Sequence, residues 1–183
     1  TEILSEPFIH KDSGYNDFKN YRLFHRKFSK ELPAIAVADL NGDGKEDFHI
    51  RSSWKEKAGK TYLQQLDGKF KLSNQAGEFS SLGNFSKHIT CIAPADYDKD
   101  GDMDWFINDR IDYDHYPRPP GNYLLRNDNG KLKDVIDSIA PGLRNCGMIT
   151  AAIWTDYNND KAVDLIVVGE WMAVTIFENK GGK

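Results

Sequence analysis

The chain has 183 residues, with 24 basic against 28 acidic side chains and a formal net charge of −4. That length allows a sizeable hydrophobic core, and mild acidity without a basic stripe argues against a nucleic-acid partner. No apolar run approaches membrane-spanning length, and the two cysteines, Cys91 and Cys146, are too few for a disulfide framework.

Residues 1–31 scatter Phe8, Tyr15, Phe18, Tyr21, Leu23, Phe24 and Phe28 among charges. Neither a helical nor a strand period covers the stretch, which reads as an N-terminal extension or a partial outer strand. Lys19, Arg22, Arg26, Lys27 and Lys30 read as a solvated face.

From residue 33 the pattern sharpens. Ile35-Ala36-Val37-Ala38, an acidic loop and Phe48-His49-Ile50 follow one another. The order repeats as Ile92-Ala93-Pro94-Ala95, loop, Trp105-Phe106-Ile107, and again as Ile153-Trp154-Thr155, loop, Leu165-Ile166-Val167-Val168. Each acidic loop therefore joins two short strands as a hairpin. Variable loops come next, at 51–60, 108–121 and 169–173. Third strands follow near Tyr62–Leu66, Tyr123–Arg126 and Val174–Phe177, and each ends in a turn signal: Asp67-Gly68, Asp128-Asn129-Gly130 and Gly181-Gly182. A fourth strand is expected near Phe70–Leu72 and Leu132–Val135. The third copy stops at Lys183, where its fourth strand should begin, and Thr1 does not open a signal peptide. A trimmed or proteolysed piece of a longer protein is the expectation.

The acidic loops carry the chemistry. DLNGDGKED presents Asp39, Asn41, Asp43 and Asp47, with the Lys45 carbonyl at its seventh position. DYDKDGDMD presents Asp96, Asp98, Asp100 and Asp104, with the Asp102 carbonyl, and DYNNDKAVD presents Asp156, Asn158, Asp160 and Asp164, with the Ala162 carbonyl. Oxygens converging from positions 1, 3, 5, 7 and 9, with a glycine at position six for the sharp turn, are what a loop needs to wrap Ca²⁺. Mg²⁺ suits less, because it demands near-octahedral geometry and keeps its waters. Solvated turns rich in Asp and Asn would look alike singly, but first positions at 39, 96 and 156 make a repeat. An EF-hand is excluded, because the twelfth position is Ile50, Ile107 or Val167 rather than Glu. Lys161 replaces glycine at position six of the third loop, so the sites rank 96–104, then 39–47, then 156–164.

Four short strands per repeat of about 60 residues predict an all-β fold of β-propeller blades. Blades of about 32–88, 89–146 and an incomplete 147–183 are expected. Three blades fall short of a usual ring of ~4–8, so further blades of the parent chain or a homo-oligomer would complete it. The metal loops and the DG/NG turns then share one rim, and the variable loops share the other. Trp54, Tyr113, His115, Tyr116 and Trp171 lie on that second rim, as a platform for a protein or glycan ligand or as blade packing. No nucleophile elbow, zinc motif, phosphate loop or Cys-His nucleophile is present, and no enzyme activity is expected.

The triplicated D-x-D/N-x-D-x-x-x-D between short strands resembles the FG-GAP/VCBS repeat family, known from integrin alpha-chain propellers and many secreted bacterial proteins. The stretches 33–50, 122–143 and 147–182 further resemble FG-GAP-like proteins of Bacteroidetes associated with the ASPIC/UnbV group. The resemblance implies a Ca²⁺-stabilised propeller in an exported protein, whether extracellular, periplasmic or at the cell surface. It assigns metal-ligand positions to the fifteen loop residues named above and implies no defined enzyme activity. The functional expectation is an interaction or adhesion module. The alternatives are a non-catalytic portion of a carbohydrate-active enzyme and a purely structural repeat.

Overall fold

The computed structural model describes residues 3–10, 14–24, 27, 33–51, 59–73, 89–109, 116, 118–119 and 121–182. Three antiparallel sheets follow one another along the chain. The first holds β1 (Ala34–Ala38), β2 (Asp47–Arg51), β3 (Lys60–Gln64) and β4 (Phe70–Leu72), in that spatial order. The second holds β5 (Ile89–Ala95), β6 (Asp104–Asp109), β7 (Gly121–Asp128) and β8 (Lys131–Asp134). The third holds β9 (Met148–Thr155), β10 (Asp164–Glu170) and β11 (Thr175–Phe177). Each acidic loop joins the first two strands of its sheet, as the hairpin pattern predicts. These up-and-down sheets are blades of the β-propeller type. β1 lies against β5 and β5 against β9, so the first strand of every sheet is innermost.

Alternation along β6 explains why the sheets stack. A strand sends successive side chains to opposite faces, and all six residues of β6 are buried. Trp105 and Ile107 pack toward the first sheet with Ala34, Ala36, Ile92 and Leu125. Phe106 packs toward the third with Leu124, Ile149, Leu165 and Val167. Each of these large side chains contributes about 1.5–3 kcal/mol through burial. Polar stitches fix the spacing between the second and third sheets. The Trp154 indole donates to the Ala93 carbonyl at 3.0 Å, and the Asn108 amide donates to the Ile149 carbonyl.

The two end sheets each leave one face open. Ile35 and Val37 of β1 are 57% and 55% exposed. On the third sheet Ile153, Ile166 and Ile176 stand directly opposite one another across three strands, and Ile153 is 60% exposed. The equivalent row of the second sheet, Ala93, Phe106 and Leu124, is covered by the third sheet.

One feature lies outside what the sequence pattern predicts. A short helix α2 (Ile136–Ile139) and a 3-10 turn (Pro141–Leu143) follow β8, and their Ile136 and Leu143 plug the core between the second and third sheets. Near the N-terminus, Leu4 bridges Phe70 in parallel, with Ser5 N–H donating to the Phe70 carbonyl at 2.9 Å. That contact adds a fragment of strand outside β4. A four-residue helix, α1 (Asp17–Asn20), follows.

Candidate metal centres

The last aspartate of each loop is fully buried and does the same work in all three repeats. Asp47 accepts the Leu40 amide at 3.0 Å and the Gln64 amide at 2.7 Å. Asp104 accepts those of Tyr97 and Asn127 at 3.2 and 2.8 Å, and Asp164 those of Tyr157 and Asn179 at 3.3 and 2.7 Å. Each carboxylate thus ties its loop to the C-terminal end of the third strand. The first aspartate closes the loop on itself. Asp39 accepts the Asp43 and Gly44 amides, Asp96 those of Asp100 and Gly101, and Asp156 those of Asp160 and Lys161.

The second loop concentrates charge most. Carboxylate oxygens of Asp96, Asp98 and Asp104 lie within 4.8 Å of one another. Asp98 Oδ1 is buried and makes no hydrogen bond. Burial first, then the neighbouring charges of Asp100 and Asp96, push the Asp98 carboxyl up from its ordinary range. Burial, with Asp98 and Asp100 adding to it, raises Asp104 to about 7 despite the amides it accepts. The same repulsion that holds protons on these groups favours a bound divalent cation. An all-oxygen donor set with one unpaired buried oxygen fits a hard ion such as Ca²⁺. Asp100 turns its Oδ1 to the Asp102 amide, and Asp102 turns its own side chain to the Asn129 amide at 2.7 Å. That last bond clamps the loop to the NG turn on the same rim, a role for Asp102 beyond its carbonyl.

The other two loops are more nearly neutral. In the first, the Lys45 ammonium reaches back to Asp43 Oδ2 at 2.9 Å and holds that carboxyl below its usual range. Asn41 Oδ1 accepts the Asp43 amide, as Asn158 Oδ1 accepts that of Asp160. In the third, the Ala162 amide donates to Asp160 Oδ1 and is the main cause of that carboxyl's lowered pKa. Position six is left-handed in every loop: φ is +82° at Gly44, +96° at Gly101 and +72° at Lys161. The lysine therefore adopts a conformation that glycine accepts without steric cost.

The opposite rim is described only in part. Trp54, Tyr113 and His115 lie outside the described residues. Tyr116 is half-buried, and its ring meets the edges of Phe24 and Tyr21 at 4.8 and 5.5 Å. It therefore packs against the N-terminal segment rather than forming an open platform. Trp171 is 80% exposed at φ +61°. Both cysteines are free thiols. Burial raises Cys91 to about 11, which suits a small apolar filler.

Sequence reading missed the asparagines that brace the turns. Asn127 Oδ1 accepts the Gly130 amide at 2.9 Å, and Asn179 Oδ1 accepts that of Gly182 at 2.8 Å. Asn179 also donates to the Tyr97 carbonyl at 2.7 Å, across to the second loop. The shared N-x-x-G spacing in RNDNG and ENKGG was the available signal.

Stacked antiparallel blades whose entry hairpins carry acidic loops define a β-propeller repeat protein. Residues 39–107 match the FG-GAP-like repeat family model. No curated protein matches the chain. Among the described residues, no helix is long and apolar enough to cross a membrane.

Proposed function

We propose that the chain is a calcium-braced segment of a β-propeller that serves as a non-catalytic interaction module of an exported or cell-surface protein. The observation that carries this reading is the convergence of Asp96, Asp98 and Asp104 oxygens within 4.8 Å, one of them buried and unpaired. Asp96, Asp98, Asp100 and the Asp102 carbonyl would hold the ion, with Asp104 at its buried side. The ion neutralises the loop and fixes the hairpin from which β5 and β6 diverge. Asp39, Asn41, Asp43, the Lys45 carbonyl and Asp47 form the second-ranked site. Asp156, Asn158, Asp160, the Ala162 carbonyl and Asp164 form the third. Ca²⁺ affinities of ~10⁻⁴–10⁻³ M are usual in extracellular modules, which fits export to a calcium-rich compartment.

Protein or glycan recognition falls to the rim opposite the metal loops, where Trp171 stands exposed. The open apolar faces at Ile35/Val37 and Ile153/Ile176 support completion of a ring by further blades, from the parent chain or a second copy. The test is isothermal titration of the chelator-treated chain with CaCl₂, run beside Asp98→Asn. Heat from wild type that is reduced in the variant by the share of the second loop supports the reading. Equal heats, or none from wild type at millimolar calcium, reject it.

A further inference from the structure

Asn127 and Asn179 occupy the same place in successive sheets. Each backbone amide bonds the last aspartate of its own loop, Asp104 or Asp164. Each Oδ1 accepts the amide of the glycine three residues on. Each Nδ2 donates to a carbonyl of its own loop, that of Met103 at 3.2 Å or Val163 at 3.1 Å. They differ toward the neighbouring sheet. Asn179 Nδ2 also donates to the Tyr97 carbonyl at 2.7 Å, in the acidic loop of the sheet before it. Among the described residues, Asn127 makes no such bond to Leu40, the matching position of the first loop.

The Tyr97 carbonyl belongs to the peptide unit that leads into Asp98. That unit is planar, so holding its oxygen orients the start of Asp98. Tyr97 is held at two further points. Its amide bonds Asp104 Oδ2 at 3.2 Å, and its ring lies parallel to that of Trp154 in β9, with an interplanar angle of 8° and centroids 5.9 Å apart. Gly182 lies over Asp98 itself, where an added Cβ would come within 2.9 Å of Asp98 Cβ. The third sheet therefore fixes the residue whose buried Oδ1 makes no hydrogen bond.

We propose that the second metal site is shared between blades: Asn179 and Trp154 of the third sheet are positioning residues that pre-set Asp98 for the ion. The inference rests on the calcium reading of that loop and adds its regulation. A donor already ordered loses less freedom when the ion arrives. The coupling is reciprocal, so whatever affinity the third sheet lends the ion, the ion returns as firmer docking of that sheet. Calcium at the second loop thus sets how tightly the second and third blades are joined. The first site, which Asn127 does not reach, is independent of the turn beside it.

The test titrates the chelator-treated chain with CaCl₂ and follows the NMR amide signals of Gly44 and Gly101. These amides bond Asp39 and Asp96, so each reports its own loop. Asn179→Ala keeps the backbone bond to Asp164 and should raise the Gly101 midpoint about fivefold or more, with Gly44 unchanged. Trp154→Phe keeps a ring beside Tyr97, loses the indole donor to Ala93, and should move Gly101 in the same direction. Asn127→Ala, matched within its own turn, should leave the Gly44 midpoint where it is. Hydrogen exchange gives the reciprocal reading: calcium should slow exchange in β9 and β10 less in Asp98→Asn than in wild type. Gly101 midpoints equal in wild type, Asn179→Ala and Trp154→Phe overturn the shared site and leave the calcium reading standing. Equal slowing of exchange in wild type and Asp98→Asn does the same. A Gly101 signal that never responds to calcium in wild type overturns both. A Gly44 midpoint that moves as far as that of Gly101, in either asparagine variant, reports general loosening of the turns and also overturns the proposal.

Discussion

Asp104 Oδ1 accepts the Asn127 amide at 2.8 Å, so the last residue of the acidic loop is bonded to the C-terminal end of the third strand. The same bond joins Asp47 to Gln64 and Asp164 to Asn179, each at 2.7 Å. Both oxygens of each carboxylate are taken by backbone amides, so this position braces the hairpin with or without a metal. Replacing Asp164 by Asn turns one acceptor into a donor and leaves a buried amide unpaired. The expected loss is about 1–3 kcal/mol, read as a lower denaturation midpoint in chelator, where calcium plays no part.

The second loop predicts opposite pH responses with and without calcium. The folded pKa of Asp104, about 7, lies above its ordinary 3.8, and that of Asp98 is raised as well. A raised carboxyl contributes stability that is full below its unfolded pKa and is lost as pH rises through the folded value. In chelator the melting temperature should therefore fall as pH rises from about 4 to about 8 through these groups. Calcium needs the ionised forms, so the increment it adds should grow over the same range. Asp98→Asn should flatten both trends. Parallel melts of wild type and variant in EDTA and in CaCl₂ check this, and a calcium increment that grows toward acid pH would contradict it.

Lys161 holds a left-handed φ of +72° where Gly44 and Gly101 stand in the other loops. The conformation costs an L-residue about 1–2 kcal/mol, partly offset by the extra freedom glycine has when unfolded. Its amide bond to Asp156 Oδ2 at 2.9 Å does not depend on the side chain. Lys161→Gly should therefore stabilise the chain by about 0.5–1 kcal/mol. It also removes a positive charge beside the third site, so the calcium increment should rise rather than fall. Chemical denaturation at two calcium concentrations measures both effects.

The strands and the loops were legible because both depend on local pattern. The apolar runs before Asp39, Asp96 and Asp156 became β1, β5 and β9, and the DG and NG turns fell where hairpins close. The strain at Lys161 could be read from the repeat alone. What stayed hidden was tertiary. The burial of β6 on both faces reveals that the middle sheet is covered twice. Helix α2 is four residues long and carries no capping side chain, so its sequence had no helical period to show. Tyr116 looked like a ligand platform because the packing of Phe24 and Tyr21 onto it comes from distant sequence. The double hydrogen bonding of Asp47, Asp104 and Asp164 was hidden for the same reason, since Gln64, Asn127 and Asn179 stand at the far end of another strand.

The open face of the third sheet leads to a prediction about association. Ile153, Ile166 and Ile176 form a cross-strand apolar row, with Ile153 60% and Ile176 44% exposed. In the second sheet the same row is covered by the next blade. Stacking another blade there would bury side chains worth about 1.5–3 kcal/mol each. The first sheet offers the complementary side, with Ile35 and Val37 exposed on the face that Ile92 of the second sheet turns inward. A head-to-tail contact between two copies therefore matches unlike faces, as the contacts within the chain do. Sedimentation velocity should show association that rises with concentration. Ile153→Lys, at a solvent-facing position, should abolish it while changing the melting temperature of the dilute chain little. Association equal in wild type and variant would mean that this face is not where the blades meet.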